Sequence, residues 1–560
     1  MFLQRIGNKG IRLGTVFDRA AARHPASPVY LDHTLDIAPE LGHRVTLTEI
    51  ADLVDDLASR LWASRVRPGD HVVVHKSDNF DISLLAYSVA RVGAVPVLLS
   101  PKLDGETVAR LLGRLRRPTL VTDQAKLEKE LPSDVFELTE RVLLAAGSFP
   151  EAVSLDALAG VARVRPVTRP QHLPALITHT SGTTGLPKLA VQTGHTIQAR
   201  CRPQSVLLAP VSRREPIAVH VSFAHSRMIS GAALFASRGH PLIVLRDDDP
   251  ERVAELFSRI PPGMVESHPN TLLHWEVLAD HPARPLARVR CFSNTFDAIH
   301  PRTVDTLLGA SERRMPFFAQ TYGQSETGAV CARTYTRRHR VGADGRCVGR
   351  NFSGLTEVRV VSRDGLTPTK DSPGHIEARS GGQIVTYLGE QERFDGQFSA
   401  DGWWRMGDLG YRTRWGCVHL LDREVDEIPG ISSTLELEDK LFTRLPELLE
   451  VIIVPGGGGA PVPVVCTRGD APLDRARWRS AVVDLPELAE PVQRRLEELP
   501  HTATTKVKRL ELARLLAGPS YEVFSRPRHR SRGARPARTG SRRCWCRRRP
   551  SARPWRPGGR

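Results

Sequence analysis

The sequence predicts an α/β fold with a large N-terminal body of α/β layers that includes a small β unit, followed by a smaller α+β domain. Three observations carry this. Helical and strand patterns alternate through the first 330 or so residues, short strands separated by Gly and Pro turns occupy Val348 to Trp415, and helices return around an apolar strand in 432–516. Repeated alternation of helix and strand signals a largely parallel sheet.

The first predicted helix starts at a capping-box pair, Thr46 and Glu49, and continues through Ile50, Leu53, Val54, Leu57 and Leu61 at helical spacing. Arg67-Pro68-Gly69-Asp70 reads as a turn, and His71-Val72-Val73-Val74 as a buried strand. A helix over about Ser83–Val92 runs to Gly93, and Val95–Leu99 reads as the next strand. In the C-terminal part, helices are expected at about Leu435–Leu445 and Asp474–Asp484, with a strand at Glu450–Val454 between them. The run Gly456–Gly459 is a loop tip. Internal repeats of 20–50 residues are absent from the sequence.

At 560 residues the chain calls for two or three domains. Its formal charge of +17 suggests nucleic acid until it is located. Fourteen arginines and no acid lie in 526–560, which leaves +3 for everything before. That stretch of Arg, Pro, Ser and Gly cannot bury a core, so 519–560 is expected to be a solvated, disordered tail, with contact to an acidic partner or RNA as the alternative. The eight cysteines are scattered, without zinc or disulfide spacing. No window approaches the roughly 18–20 apolar residues of a membrane span, and the first residues lack a signal-peptide core. The expectation is a soluble, cytoplasmic protein.

The strongest local signal is Thr180-Ser181-Gly182-Thr183-Thr184-Gly185-Leu186-Pro187-Lys188, which follows a strand-like Pro174–Thr178. Such a loop offers backbone N–H groups and short hydroxyls to an anion, glycine permits close approach, and the lysine adds a mobile charge. It is not a Walker loop, because Gly185 is followed by Leu186-Pro187 instead of Lys-Ser or Lys-Thr.

This loop resembles the phosphate-loop signature of the adenylate-forming superfamily, which includes acyl- and aryl-CoA synthetases. Further segments follow in that family's order. Gln320–Gly328 is similar to its aromatic-Gly-x-Thr-Glu segment, with Ser325 in the usual Thr position. The resemblance implies that Tyr322 stacks on adenine, Ser325 touches the α-phosphate and Glu326 holds magnesium, and the hard carboxylate oxygen suits that ion. Trp403–Gly410 resembles the Gly-Asp segment, in which Asp408 accepts both ribose hydroxyls, although Met406 stands where Thr is common. Leu421–Asp426 resembles the segment joining the two domains, with Arg423 as the ribose- and phosphate-contacting arginine. Leu499–Val507 resembles the segment of the catalytic lysine, here Lys506, with Thr505 replacing a glycine.

The resemblance covers about residues 13–516. It implies a large adenylation domain (1–424) that binds ATP and an acid, and a small mobile domain (425–518) that carries Lys506. The expected reaction is AMP-forming ligation: a carboxylate attacks the α-phosphate of ATP, pyrophosphate leaves, and the acyl group passes to an acceptor. CoA is the acceptor expected of a stand-alone member. The alternative is an amine, as in amide synthetases of the aminocoumarin-antibiotic type, which Leu420–Gly430 resembles more closely. Val425 replaces the usual hinge Asp or Lys, and Pro429 stands where a polar lysine is common. A catalytically silent binding homologue is a third reading. His225, within Ser222–Arg227, stands at the family's gate to the acyl pocket. Ser293–Asp297 is bulkier than the usual Gly-Gly-Ala turn, so aryl and fatty acids fit equally well.

Overall fold

The computed structural model describes residues 9–180, 186–212, 214–295, 298–339, 345–456, 459–501 and 507–517, all within one compact unit. Among them the strands form three sheets, of 13, 8 and 3 strands. The fold is α/β as the sequence predicts, and no helix among the described residues is long and apolar enough to cross a membrane.

The eight-stranded sheet contains the early alternation. Helix Leu47–Ala63 begins where the capping box places it: the Glu49 N–H donates to Thr46 Oγ1 at 3.2 Å, and the Thr46 N–H donates to Glu49 Oε2 at 2.7 Å. Ile50, Val54, Leu57 and Leu61 of this helix are buried. Strand His71–Val74 lies between Val95–Leu98 and Thr119–Thr122, all parallel. Pro174–His179 joins Val95–Leu98 in parallel. Leu189–Thr193 then returns antiparallel to it, and the short strand Thr386–Tyr387 closes that edge.

The centre of the large sheet is parallel: Ile217–His220, Met264–Ser267, Cys291–Asn294 and Phe317–Gln324 are successive neighbours. The strand Phe317–Gln324 turns back antiparallel into Gly328–Thr336, which pairs with Cys347–Asn351, and that strand pairs with Val418–Arg423. The short-strand stretch read from the sequence is therefore hydrogen-bonded to the large sheet and continues through Val418–Arg423. In open parallel sheets, ligands gather beyond the carboxyl ends of the strands. Thr180, Thr295 and Thr321–Gln324 lie at or just past such ends.

After Arg423 come helix Thr434–Arg444, the strands Leu448–Val454 and Val462–Thr467, and helices Arg475–Val482 and Arg509–Ala517. These match the expected helices and strand within one to two residues. Asp422 anchors the first helix: Thr434 donates to it through Oγ1 at 2.6 Å and through N–H at 3.1 Å. Burial pushes the Asp422 carboxyl up to about 6.

His75, just past strand His71–Val74, is fully buried. Burial pushes its pKa down to about 4. Since the folded value lies below the unfolded value of about 6.5, the unfolded chain binds more protons between those two pH values, and this histidine makes stability fall as pH drops through the window. Asp81, which burial raises to about 6, acts in the opposite sense, so the test is a difference. Relative to the wild type, His75→Leu is expected to flatten the stability–pH slope between pH 6.5 and 4 by about 1.4 kcal/mol per pH unit, read from urea midpoints.

Candidate functional site

The Thr180–Lys188 segment is the connection of a β-hairpin. The strands Pro174–His179 and Leu189–Thr193 flank it, and the Thr180 N–H donates to the Lys188 carbonyl at 2.9 Å. Thr180 is buried, and its Oγ1 has no partner among the described residues. Ser181, Gly182, Thr183, Thr184 and Gly185 lie outside the described residues, as does Lys506.

Lys188 closes the hairpin beside Glu326. Its Nζ donates to Tyr387 Oη at 3.1 Å, and Tyr387 Oη donates to Glu326 Oε1 at 2.7 Å. The Lys188 Nζ is 3.6 Å from that carboxylate oxygen and 4.5 Å from the Tyr387 ring centroid. Burial lowers the Lys188 pKa, while Glu326 opposes the shift. Burial and then Glu326 raise the Tyr387 phenol, so it stays a neutral donor. Glu326 Oε2 takes no hydrogen bond among the described residues, which leaves a hard oxygen for a cation.

The sequence gives no sign of Tyr387. It occupies a two-residue strand that reaches Lys188 only because Thr386–Tyr387 pairs with Leu189–Thr193, about 199 positions from its partner. Tyr387→Phe removes the hydroxyl between lysine and carboxylate, and on the expectation that this cluster grips ATP it should raise the KM for ATP about tenfold, a loss of one charge-assisted hydrogen bond. Steady-state pyrophosphate exchange checks this.

A second cluster forms around Asp408. Tyr322 Oη donates to Asp408 Oδ2 at 2.6 Å, and Arg423 Nε is 3.4 Å from Oδ1. Asp408 and Arg423 are cross-strand partners, which fixes their meeting. Burial, and next the Asp408 charge, raise the Tyr322 phenol well above its ordinary value. Met406, in the usual Thr position, is buried in the apolar cluster of Trp404 and Tyr387. The hairpin bearing Tyr322 and Glu326 turns tightly. A Cβ on Gly323 would fall 2.0 Å from the Gly328 carbonyl oxygen, and Gly328 has φ +68°.

Arg200, which sequence reasoning also missed, joins these parts. It is buried on helix Gly194–Leu208, with Nε donating to the Gly382 carbonyl at 2.7 Å and Nη1 to Ser226 Oγ at 3.2 Å. Its Nη2 donates to the carbonyls of Ser325 at 2.8 Å and Glu326 at 3.3 Å. Burial pushes its pKa down to about 10. Ser325 is thus held through its backbone.

His225 caps helix Ser226–Arg238, its Nδ1 accepting from the Arg227 N–H at 3.0 Å. The adjacent cavity of about 20 Å³ is lined instead by Arg227, Gln204, Glu266, Ser293, Thr295 and Thr321, among others. Phe296 and Asp297 lie outside the described residues. Among the described residues, no group of three or more His, Cys, Asp or Glu side chains is arranged to hold a metal.

Residues 17–388 match the model of the AMP-binding enzyme family. The chain is 46% identical over 532 residues to a 3-amino-2-hydroxy-4-methoxybenzoate diazotase of Streptomyces cremeus, covering 91% of this chain and 96% of that one. It is 24% identical to a 3-aminoavenalumate diazotase of a Streptomyces species, over 73% of this chain and 74% of the relative. Among solved structures, an anthranilate CoA ligase in complex with anthranoyl-AMP superposes with a TM-score of 0.76 at 18% identity, covering 91% of this chain and 98% of that one.

Proposed function

The chain belongs to the AMP-binding enzyme family, the adenylate-forming ligases, and from that premise we propose that it adenylates nitrite with ATP and delivers the activated nitrogen to the amine of an amino-substituted aryl acid. The observation that carries this reading is the similarity, over nearly the full length of both chains, to a diazotase whose named substrate is an aminohydroxybenzoate.

The chemistry of diazotisation points to the donor. Converting an arylamine into a diazo group needs a second nitrogen at the oxidation level of nitrite, and nitrite is an oxyanion, as a carboxylate is. A nitrite oxygen attacks the α-phosphorus of ATP, the bond to pyrophosphate breaks, and a nitrosyl–AMP anhydride results. The amine nitrogen then attacks the nitrosyl nitrogen. An N–N bond forms, the N–O bond to AMP breaks, AMP leaves with the electron pair, and the amine gives up a proton. The N-nitrosamine tautomerises to the diazohydroxide, which takes up a proton and loses water to yield the diazonium.

Two anions meet in the first step, so the protein's task is to screen and align charge. In this reading Lys188, Lys506 and the amides and hydroxyls of Thr180–Gly185 surround the phosphates, Ser325 faces the α-phosphate, and Tyr322 lies against adenine. Asp408, paired with Arg423, takes the ribose. Glu326, poised by Tyr387, would hold magnesium, which when bound would neutralise the phosphates. Residues 425–518 act as the domain that brings Lys506 to the site. Pro429 fixes φ and removes a backbone donor where related ligases guide a thiol, which favours an amine over CoA as the acceptor.

Pyrophosphate–ATP exchange with nitrite, benzoate and aminobenzoates, followed by mass analysis of products from ¹⁵N-nitrite, tests the proposal. Nitrite-dependent exchange with ¹⁵N in an aryl product is the expected result. Exchange with the carboxylic acids alone, ending in a thioester or an amide, would replace the reading with acyl transfer. No exchange above a Lys506→Ala control would end it.

A further inference from the structure

We propose that the buried Arg227–Glu266 pair recognises the arene, with Arg227 taking its carboxylate and Glu266 accepting a hydrogen bond from its amine. This rests on the reading above and names the substrate's anchor points.

The pair is poorly explained as scaffolding. Glu266 is 1% exposed, on strand Met264–Ser267, and Arg227 opens helix Ser226–Arg238. A buried ion pair commonly stabilises a fold no better than apolar residues of the same volume. Here it lines a cavity otherwise walled in part by Phe235, Met264 and Phe352.

Counting donors shows what remains open. Arg227 gives Nε and one Nη2 hydrogen to the two oxygens of Glu266, and one Nη1 hydrogen to Gln204 Oε1. A guanidinium has five N–H donors in a planar fork. The remaining two, one on each Nη, take no acceptor among the described residues and are available to a carboxylate. Each Glu266 oxygen keeps lone-pair capacity for an amine N–H. The pair therefore presents both signs of charge without being broken. The cavity of about 20 Å³ is smaller than an arene, so the proposal requires side chains such as Gln204 to move away from Arg227 when the substrate enters.

An independent observation points to a ligand in the same place. Thr295 lines the cavity, and its buried Oγ1 has no hydrogen-bond partner among the described residues. An unpaired buried hydroxyl is costly and is ordinarily satisfied. A ring substituent reaching Thr295 would satisfy it.

The cavity is also tied to the phosphate side. Arg227 follows Ser226, which Arg200 binds while holding the carbonyls of Ser325 and Glu326. Thr321 lines the cavity, and the next residue, Tyr322, holds Asp408. An amine seated on Glu266 is thereby carried on the same framework as the nucleotide residues.

Calorimetric titration of the full-length protein with 3-amino-2-hydroxybenzoate, 2-hydroxybenzoate and 2-aminophenol tests this without turnover. The ligand bearing both groups is expected to bind at least about tenfold more tightly than either of the others, one charge-assisted hydrogen bond per missing group. Arg227→Gln should erase the advantage of the carboxylate, and Glu266→Gln that of the amine. Because either single change strands a buried charge, the double variant Arg227→Met/Glu266→Leu keeps the test open if the singles fail to fold. It should bind the three ligands alike. A wild type without preference, or a folded double variant that keeps the wild-type order, overturns the assignment. Nitrite-dependent exchange is measured separately, so loss of the reaction reading and loss of this assignment give different results.

Discussion

Replacing Lys506 by alanine is expected to slow adenylate formation by about 10²–10³, the usual consequence of removing one preorganised donor from a developing charge. In the proposed reaction an oxyanion approaches a polyphosphate, and negative charge builds on the α-phosphate oxygens as pyrophosphate departs. A lysine that meets that charge only at the transition state lowers the barrier without tightening substrate binding to the same degree. The loss should therefore appear mainly in kcat for ATP–pyrophosphate exchange, with a smaller change in KM. Lys188→Ala should show the opposite balance. Its ammonium is already engaged with Tyr387 and Glu326, and the proposed reaction assigns it to the ground-state grip on ATP. If Lys506→Ala exchanges within about threefold of the wild type, that lysine does not supply the transition-state charge.

Arg200→Met is expected to cost about 3 kcal/mol or more of stability, because a charged, buried donor set disappears and leaves carbonyls of Gly382, Ser325 and Glu326 without their partner. The urea midpoint reports the loss. Arg200→Lys should restore little, since an ammonium cannot reproduce a planar fork that reaches four acceptors on three segments. A thermal or urea transition unchanged by Arg200→Met would show that the carbonyls find water or other donors.

Much of this fold is legible because its signals are local. The Thr46–Glu49 capping box, the apolar His71–Val74 run and the strand leading to Thr180 each lie within a few residues and need no knowledge of distant chain. Asp408 and Arg423 are readable from flanking segments that match a known order, and the structure has them together as cross-strand partners. Arg200 and Tyr387 are not readable. The first sits mid-helix and finds its acceptors 26 to 182 positions away. The second is an aromatic residue on a strand too short to leave a pattern. Their partners are created by sheet closure, which composition and periodicity do not encode. The Arg227–Glu266 pair is illegible for the same reason, since a helix start and a strand 39 positions apart meet only across the parallel sheet.

The neighbours Asp422 and Arg423 share one strand end and face different obligations. Asp422 seats the helix Thr434–Arg444, and Arg423 leans on the carboxylate across the ladder. The two are consecutive, so the arginine proposed to meet the ribose adjoins the carboxylate that seats the helix, and on that proposal a spectroscopic label on the helix is expected to respond to nucleotide alone.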